Sequence, residues 1–271
     1  MSSIFLYKKN DLKSGWFIAG IVLALLLFSA IGLLVDERTL NGVSVWSKPL
    51  KFNFSFLVHL LTLFFMVLLL RDSYRNSKWM KWLLHMLYAA VLVELLYIFI
   101  QAFRGRHSHF NFETQWEMMA YYALMGGAAL IVMLCTFVIG CALYKEYQDD
   151  KYSGLKLGLT IGATVGTVAT LITAGALASG AATTTGHWVG GELTDAYGLP
   201  IFGWSTTGGD LRVPHFFATH MIQALPILGF LTDKYLSRFS TRIVLAGTIL
   251  SLAIVWATFI QALSAKPFLV L

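Results

Sequence analysis

The feature that most constrains this chain is a set of apolar runs, several close to 20 residues long and nearly free of charge. An α-helix needs about 20 apolar residues to cross the hydrocarbon of a bilayer. Charge content agrees with that reading. Asp, Glu, Lys and Arg make up 13% of the 271 residues, against about 25% in soluble domains.

Seven runs can be drawn. They cover Ser14 to Val35, Lys51 to Leu70, Trp82 to Phe103, Thr114 to about Tyr144, Gly154 to about Gly180, Pro214 to Asp233, and Arg242 to about Ala265. The expected fold is all-α, a transmembrane helical bundle of about seven spans that forms one integral membrane domain over residues 1–271. Lys8, Lys9 and Lys13 precede the first run without a small-residue cleavage site, so it reads as a retained first helix. Thirteen of the 20 Lys and Arg residues lie in the N-terminal segment and in the loops after spans two, four and six; seven lie at the other end. Basic residues favour the cytoplasmic side, which puts the N-terminus in the cytoplasm and the C-terminus outside it. The net charge of +6 is then positive-inside charge and not a nucleic-acid footprint, because no basic cluster is interleaved with base-reading residues. Cys135 and Cys141 are six apart on one helix, facing different directions, and cannot bridge each other.

Local signals mark the helix ends and contacts. Thr114-Gln-Trp-Glu117 reads as a capping box, and Pro214 suits a first helical turn. Gly158, Gly162 and Gly166 repeat every four residues, a pattern that lets helices approach closely. Trp46, Lys48 and Lys51 suggest a headgroup layer.

Polar groups are costly in hydrocarbon, so those retained near or within the spans are candidates for function. On the third span Glu94, Tyr97, Gln101 and Arg104 are spaced by three, four and three, which puts them on one helix face over about 15 Å. Such a stripe serves either as a proton or ion path or as an interhelical hydrogen-bond seam with Glu94 protonated. His59 on the second span and His220 on the sixth fall at similar depths, and Gln223 shares a face with His220. Two imidazoles so placed suit a b-type haem, or copper; the plain alternative is that each ring bonds a neighbour. His109, His187 and His215 lie in or beside loops at one end, where imidazoles suit a transition metal. Asp210 and Arg212 are expected to form ion pairs in this loop layer, with each other or with Arg104 and Glu113. No Gly-x-Ser-x-Gly, His-Glu-x-x-His or phosphate-loop signature is present, so no catalytic residue is assigned.

Two resemblances add to this. Ser55, His59, Asp210, His215 and His220 are faintly similar to the metal-ligand set of seven-span ceramidase-type hydrolases. Those end in His-x-x-x-His, whereas four residues separate His215 from His220 here, which breaks the shared helix face. More of the chain is covered by a second resemblance. Trp46-Ser-Lys-Pro-Leu-Lys-Phe52, Gln101-Ala-Phe-Arg-Gly-Arg-His-Ser-His-Phe-Asn111 and Gly203-Trp-Ser-Thr-Thr-Gly-Gly-Asp-Leu-Arg-Val-Pro-His-Phe216 resemble the signature stretches of an uncharacterised family of bacterial multispan membrane proteins. That resemblance implies a bacterial inner (cytoplasmic) membrane location and no particular activity. The leading expectation is a haem- or metal-binding redox protein, with a quinone or an extracytoplasmic electron partner. The alternatives are a small-solute or proton transporter or channel, a metal-dependent membrane hydrolase, and a non-catalytic assembly or sensory subunit.

Overall fold

The computed structural model describes residues 13–148, 152–179 and 186–270. Lys8, Lys9, Lys151 and the start of the loop at Thr183 lie outside the described residues. Among the described residues seven long helices run up and down between two ends: α1 Lys13–Val35, α2 Ser47–Leu68, α3 Lys78–Arg104, α4 Gln115–Glu146, α5 Ser153–Ala178, α6 Arg212–Tyr235 and α7 Ser240–Leu263. Six of them, all but α6, are long and apolar enough to cross a membrane. This is a multi-pass membrane protein. Two short antiparallel ladders, β1 Thr39–Leu40 with β2 Val43–Ser44, and β3 Trp188–Val189 with β4 Gly209–Asp210, lie in the loops of one end.

α6 falls short of the other helices in hydropathy because of what it carries: His215, His220, Gln223, Asp233 and Lys234. Its packing explains how it keeps them. α6 makes the most extensive helix contact in the molecule with α5, and a further one with α7. The close approach to α5 depends on glycine. A Cβ at Gly158 would press on the Leu225 carbonyl of α6, and one at Gly162 on the Met221 carbonyl. At the far end the two helices are pinned again, where Asp233 accepts the Gly154 and Leu155 amides at 3.0 and 2.7 Å. Those amides open α5 and lack helical partners, so the carboxylate satisfies them and meets the positive helix end.

The main apolar core lies among α1 to α5, around Leu60, Leu63, Leu87, Val91, Leu95 and Ile139, all fully buried. The outward faces remain apolar: Phe17, Leu34, Ile249 and Ile260 are each more than 60% exposed, as lipid-facing residues must be. At the end opposite the β-ladders, Trp79 and Trp82 stack at 5.2 Å and stay half exposed.

Two terminus signals act as expected. Thr114 caps α4 by accepting the Glu117 amide, and Gly105, in the left-handed region at φ 65°, ends α3. Two expectations need correction. α2 begins a turn before Lys51, with Pro49 in its first turn, where the missing N–H costs nothing. Trp46 is not a headgroup anchor: it is 3% exposed, packed on Phe28, Phe99 and Phe103, and its indole donates to Asp36 at 2.8 Å. A feature with no sequence signal is a π-helical segment, Ala120–Met125, inside α4.

Candidate functional site: a polar end layer and two polar columns

The loops at the ends of α1, α3, α5 and α7 meet the starts of α2, α4 and α6 in one layer. The α1–α2 loop is held by the α5–α6 loop: Thr194 and Asp195 both donate to the Asn41 carbonyl, each at 3.1 Å. Lys51 of α2 donates to the Phe202 carbonyl at 2.9 Å, and Arg38 to the Phe103 carbonyl at 2.9 Å. Trp204 packs on Phe268 beyond α7. The stretches singled out in sequence are therefore gathered at one end of the bundle.

The hub of the layer is Arg212. It grips Asp210 with Nε at 3.0 Å and Nη2 at 2.7 Å, reaches Asp195 at 2.9 Å, and donates to the Gly203 carbonyl. Two parallel bonds to one carboxylate suit the planar guanidinium. Asp210 is 1% exposed and also accepts the Ser205 amide. Burial works against both carboxylates, but Arg212 and His187 outweigh it and hold Asp195 and Asp210 below the usual range. Arg212 thus pairs with Asp210 as expected, and with Asp195, which the sequence did not single out. Arg104 and Glu113 belong to a separate network.

His187 sits 3.5 Å from Asp195 and 4.0 Å from Asp210. His109 packs between Phe52 and Tyr121, with Nδ1 3.2 Å from Ser108. Burial lowers the imidazole of each. His109 also feels Lys48, His215 and His187, so these groups share one environment. His215 turns Nδ1 to Thr173 of α5 at 3.2 Å. Among the described residues no three His, Cys, Asp or Glu side chains are grouped to hold a metal ion. Two backbone outliers, Phe110 at φ 55° and Ile201 at φ 71°, occur in these same loops. Bulky residues rarely adopt that region, and such strain collects where surroundings over-determine a loop.

The first column follows the α3 stripe. Arg104 donates to Gln101 at 2.7 Å, and Gln101 donates to Tyr97 at 3.3 Å and to the His107 carbonyl at 3.0 Å. Gln101 is fully buried, Tyr97 8% exposed and Glu94 3% exposed. The stripe faces protein, as its polarity requires. At its top, Glu117 is held by Arg104 at 3.2 Å and by Arg106 at 2.9 Å, so it does more than cap α4. At its foot, Oε2 of Glu94 has no hydrogen-bond partner among the described residues.

The second column lies among α2, α4, α5 and α6. His59 is 3.0 Å from Thr136 of α4. His220 bonds Gln223 at 3.1 Å, and Gln223 reaches Thr62 of α2 at 3.4 Å. Beside His59 is a cavity of about 10 Å³, the space of one water and not of a porphyrin as the helices are packed. No family model, curated protein or solved structure matches the chain, so its function has to be argued from this geometry.

Proposed function

We propose that the chain is a proton-coupled transporter or channel for a small solute, with the α3 stripe as its proton path. One observation carries this reading: a carboxylic acid with an unpartnered oxygen, buried at the foot of a hydrogen-bonded stripe that begins in the polar end layer. An intramembrane acid facing the bundle interior marks a proton or ion pathway by default. Arg104, Gln101 and Tyr97 link the layer to within about one helical turn of Glu94. The reading includes α6 as a seventh span, its polar residues screened by α5 and α7. It also places the end layer outside the cytoplasm, from the Lys and Arg bias, and the protein in a bacterial inner membrane, from the signature stretches.

Proton flux into proteoliposomes, followed by a pH-sensitive dye, tests it. Glu94→Gln keeps the shape and removes the acid, and flux is expected to fall at least about tenfold. Flux equal to that of the unaltered protein would rule the path out.

A second reading keeps His59 and His220 as haem ligands, because Gln223, the partner of His220, reaches Thr62 on α2, less than one turn from His59. It requires α2 and α6 to part around the porphyrin. A Soret band in the purified protein would favour it over transport, with a quinone or an extracytoplasmic electron carrier as partner.

A further inference from the structure

α2 and α6 stand beside each other without the close packing that glycine allows between α5 and α6. One face of α2 carries Lys51, Ser55, Val58 and Thr62, at spacings of four, three and four. One face of α6 carries Phe216, His220 and Gln223, at spacings of four and three. Each set forms a single stripe along its helix. The two stripes are tied together at both ends. At the foot, Gln223 donates to Thr62 at 3.4 Å. At the head, Lys51 donates to the Phe202 carbonyl at 2.9 Å, and the Phe202 ring meets Phe216 edge-on with centroids 5.4 Å apart. Along α2 these ties are about 16 Å apart.

Between the ties the helices do not close. Ser55 lies within about 20° of the azimuth of Thr62, the residue that touches α6, yet Ser55 is exposed. Val58, Phe216 and His220 are each only partly buried. The stripes therefore bound a groove that opens to the outside of the bundle. That outside is lipid: Phe54 and Leu61, on the adjoining face of α2, are 61% and 41% exposed.

The groove is graded along its length. Its head holds an uncompensated cation. An ammonium has three donors, and Lys51 uses one on Phe202. Arg212 donates to the next carbonyl, that of Gly203, but is balanced by Asp195 and Asp210. Among the described residues no carboxylate pairs with Lys51. One turn deeper, the Ser55 hydroxyl gives its proton to no carbonyl among the described residues, whereas Thr62 gives its own to Val58 at 2.8 Å. The walls beyond are Val58 and the Phe216 ring. At the foot, Nδ1 of His220, Gln223 and Thr62 bond one another and ask nothing of an occupant. Cation, free hydroxyl and apolar wall match the order of phosphate, ester and acyl chain in a phospholipid that enters from the polar end. Basic sites between transmembrane helices hold anionic headgroups.

We propose that the groove between α2 and α6 binds an anionic phospholipid, with the phosphate on Lys51, an ester carbonyl on Ser55 and an acyl chain along Val58 and Phe216. The site stands whether or not the protein transports protons, because no group of the α3 stripe takes part in it.

Photolabelling of the full-length protein in phosphatidylcholine nanodiscs tests it. The probe is a trace of phosphatidylglycerol with a diazirine near the head of one chain, and the labelled residues are mapped by mass spectrometry. Label is expected on residues 51–62 and 216–223, and enriching the nanodisc in unlabelled phosphatidylglycerol is expected to remove it. Label spread over all the outward faces, Phe17 and Ile249 included, or label in the groove that unlabelled phosphatidylglycerol does not remove, overturns the proposal and leaves ordinary boundary lipid. This map on the unaltered protein decides the matter even if a variant fails to fold. Lys51→Gln keeps a donor for Phe202 and removes the charge; groove labelling is expected to fall about tenfold, the effect of one hydrogen bond between charged groups. Ser55→Leu fills the groove, leaves Lys51 in place and is expected to abolish the label there. Unchanged labelling in Lys51→Gln would overturn the headgroup assignment, and unchanged labelling in Ser55→Leu would overturn the groove.

Discussion

Two polar columns enter the bundle from the same end and are built from different chemistry. The one between α3 and α4 is headed by formal charges, with Arg104 and Arg106 closing on Glu117. The one among α2, α4, α5 and α6 is made of threonine hydroxyls, three imidazoles and one amide, bonded to each other and to backbone carbonyls. The difference follows depth. Ion pairs stand in the loop layer, where water and many dipoles share their solvation. Further in, removing a charge from water costs several kcal/mol even when it is paired, and neutral groups with self-contained hydrogen bonds take over. Glu94 is the exception, an acid at the foot of the charged column with one oxygen unbonded among the described residues. That is why the proposed function is placed there.

The contrast predicts where substitutions hurt. Asp210→Ala is expected to be the most damaging, because it strips the hub of a carboxylate that is 1% exposed and leaves Arg212 short of its bidentate partner. Breaking a buried pair costs about 3–5 kcal/mol, readable as thermal unfolding in detergent. A loss below about 1 kcal/mol, the range of surface pairs, would mean that the layer is not organised around Arg212.

Gly158→Val comes next. Its side chain would meet the Leu225 carbonyl and Pro226 across the tightest helix crossing, and overpacking costs about 1–3 kcal/mol. The same unfolding assay reads it. If Gly158→Val is tolerated while Gly127→Val, with open space around its Cβ, is not, the importance given to the α5–α6 contact is misplaced.

Acid should separate the two regions more gently. Burial holds the imidazoles of His107, His109 and His187 below their ordinary value near 6.5. The unfolded chain therefore binds protons before the folded one does. The stability these rings contribute is full above about pH 6.5 and is lost as pH falls towards their folded values. Asp195 and Asp210 are also depressed, so their contribution persists until about pH 4 and then falls in the same direction. Protection factors in residues 105–112 and 186–211, taken against the intrinsic exchange rate at each pH, should fall between pH 7 and pH 5. Protection that rises on acidification would contradict the sign. The smallest effect is expected for Arg38→Ala. Its pair with Asp36 faces solvent, and the melting temperature should move less than for any variant above.

The helices are legible in the sequence because crossing lipid demands long apolar runs. α6 is legible too, since Pro214 and the run behind it mark a helix even though its polar content lowers its hydropathy. The collection of the signature stretches at one end follows from counting spans. What escapes the sequence depends on rotation about helix axes and on loop paths. Nothing near Asp195 announces that it will face Arg212; the folding of the α5–α6 loop makes that pair. Thr136 looks like any helical threonine until packing turns it to His59. Glu117 looks fully explained by its cap, and Trp46 like an interfacial anchor, because the arginines and the aromatic cluster that claim them come from other segments.

The π-helical turn at Ala120–Met125 bears on all of this. A π-turn amounts to one additional residue within an α-helix, and each residue of an α-helix advances the azimuth by about 100°. Were the same residues wound as a regular spiral with none removed, everything beyond the turn would be rephased by about 100° relative to Thr114. Thr136 would swing away from His59, and Val132 and Ile139 would leave the core with it. The widened turn acts as a phase shifter that lets one helix serve the charged column at its head and the neutral column further down.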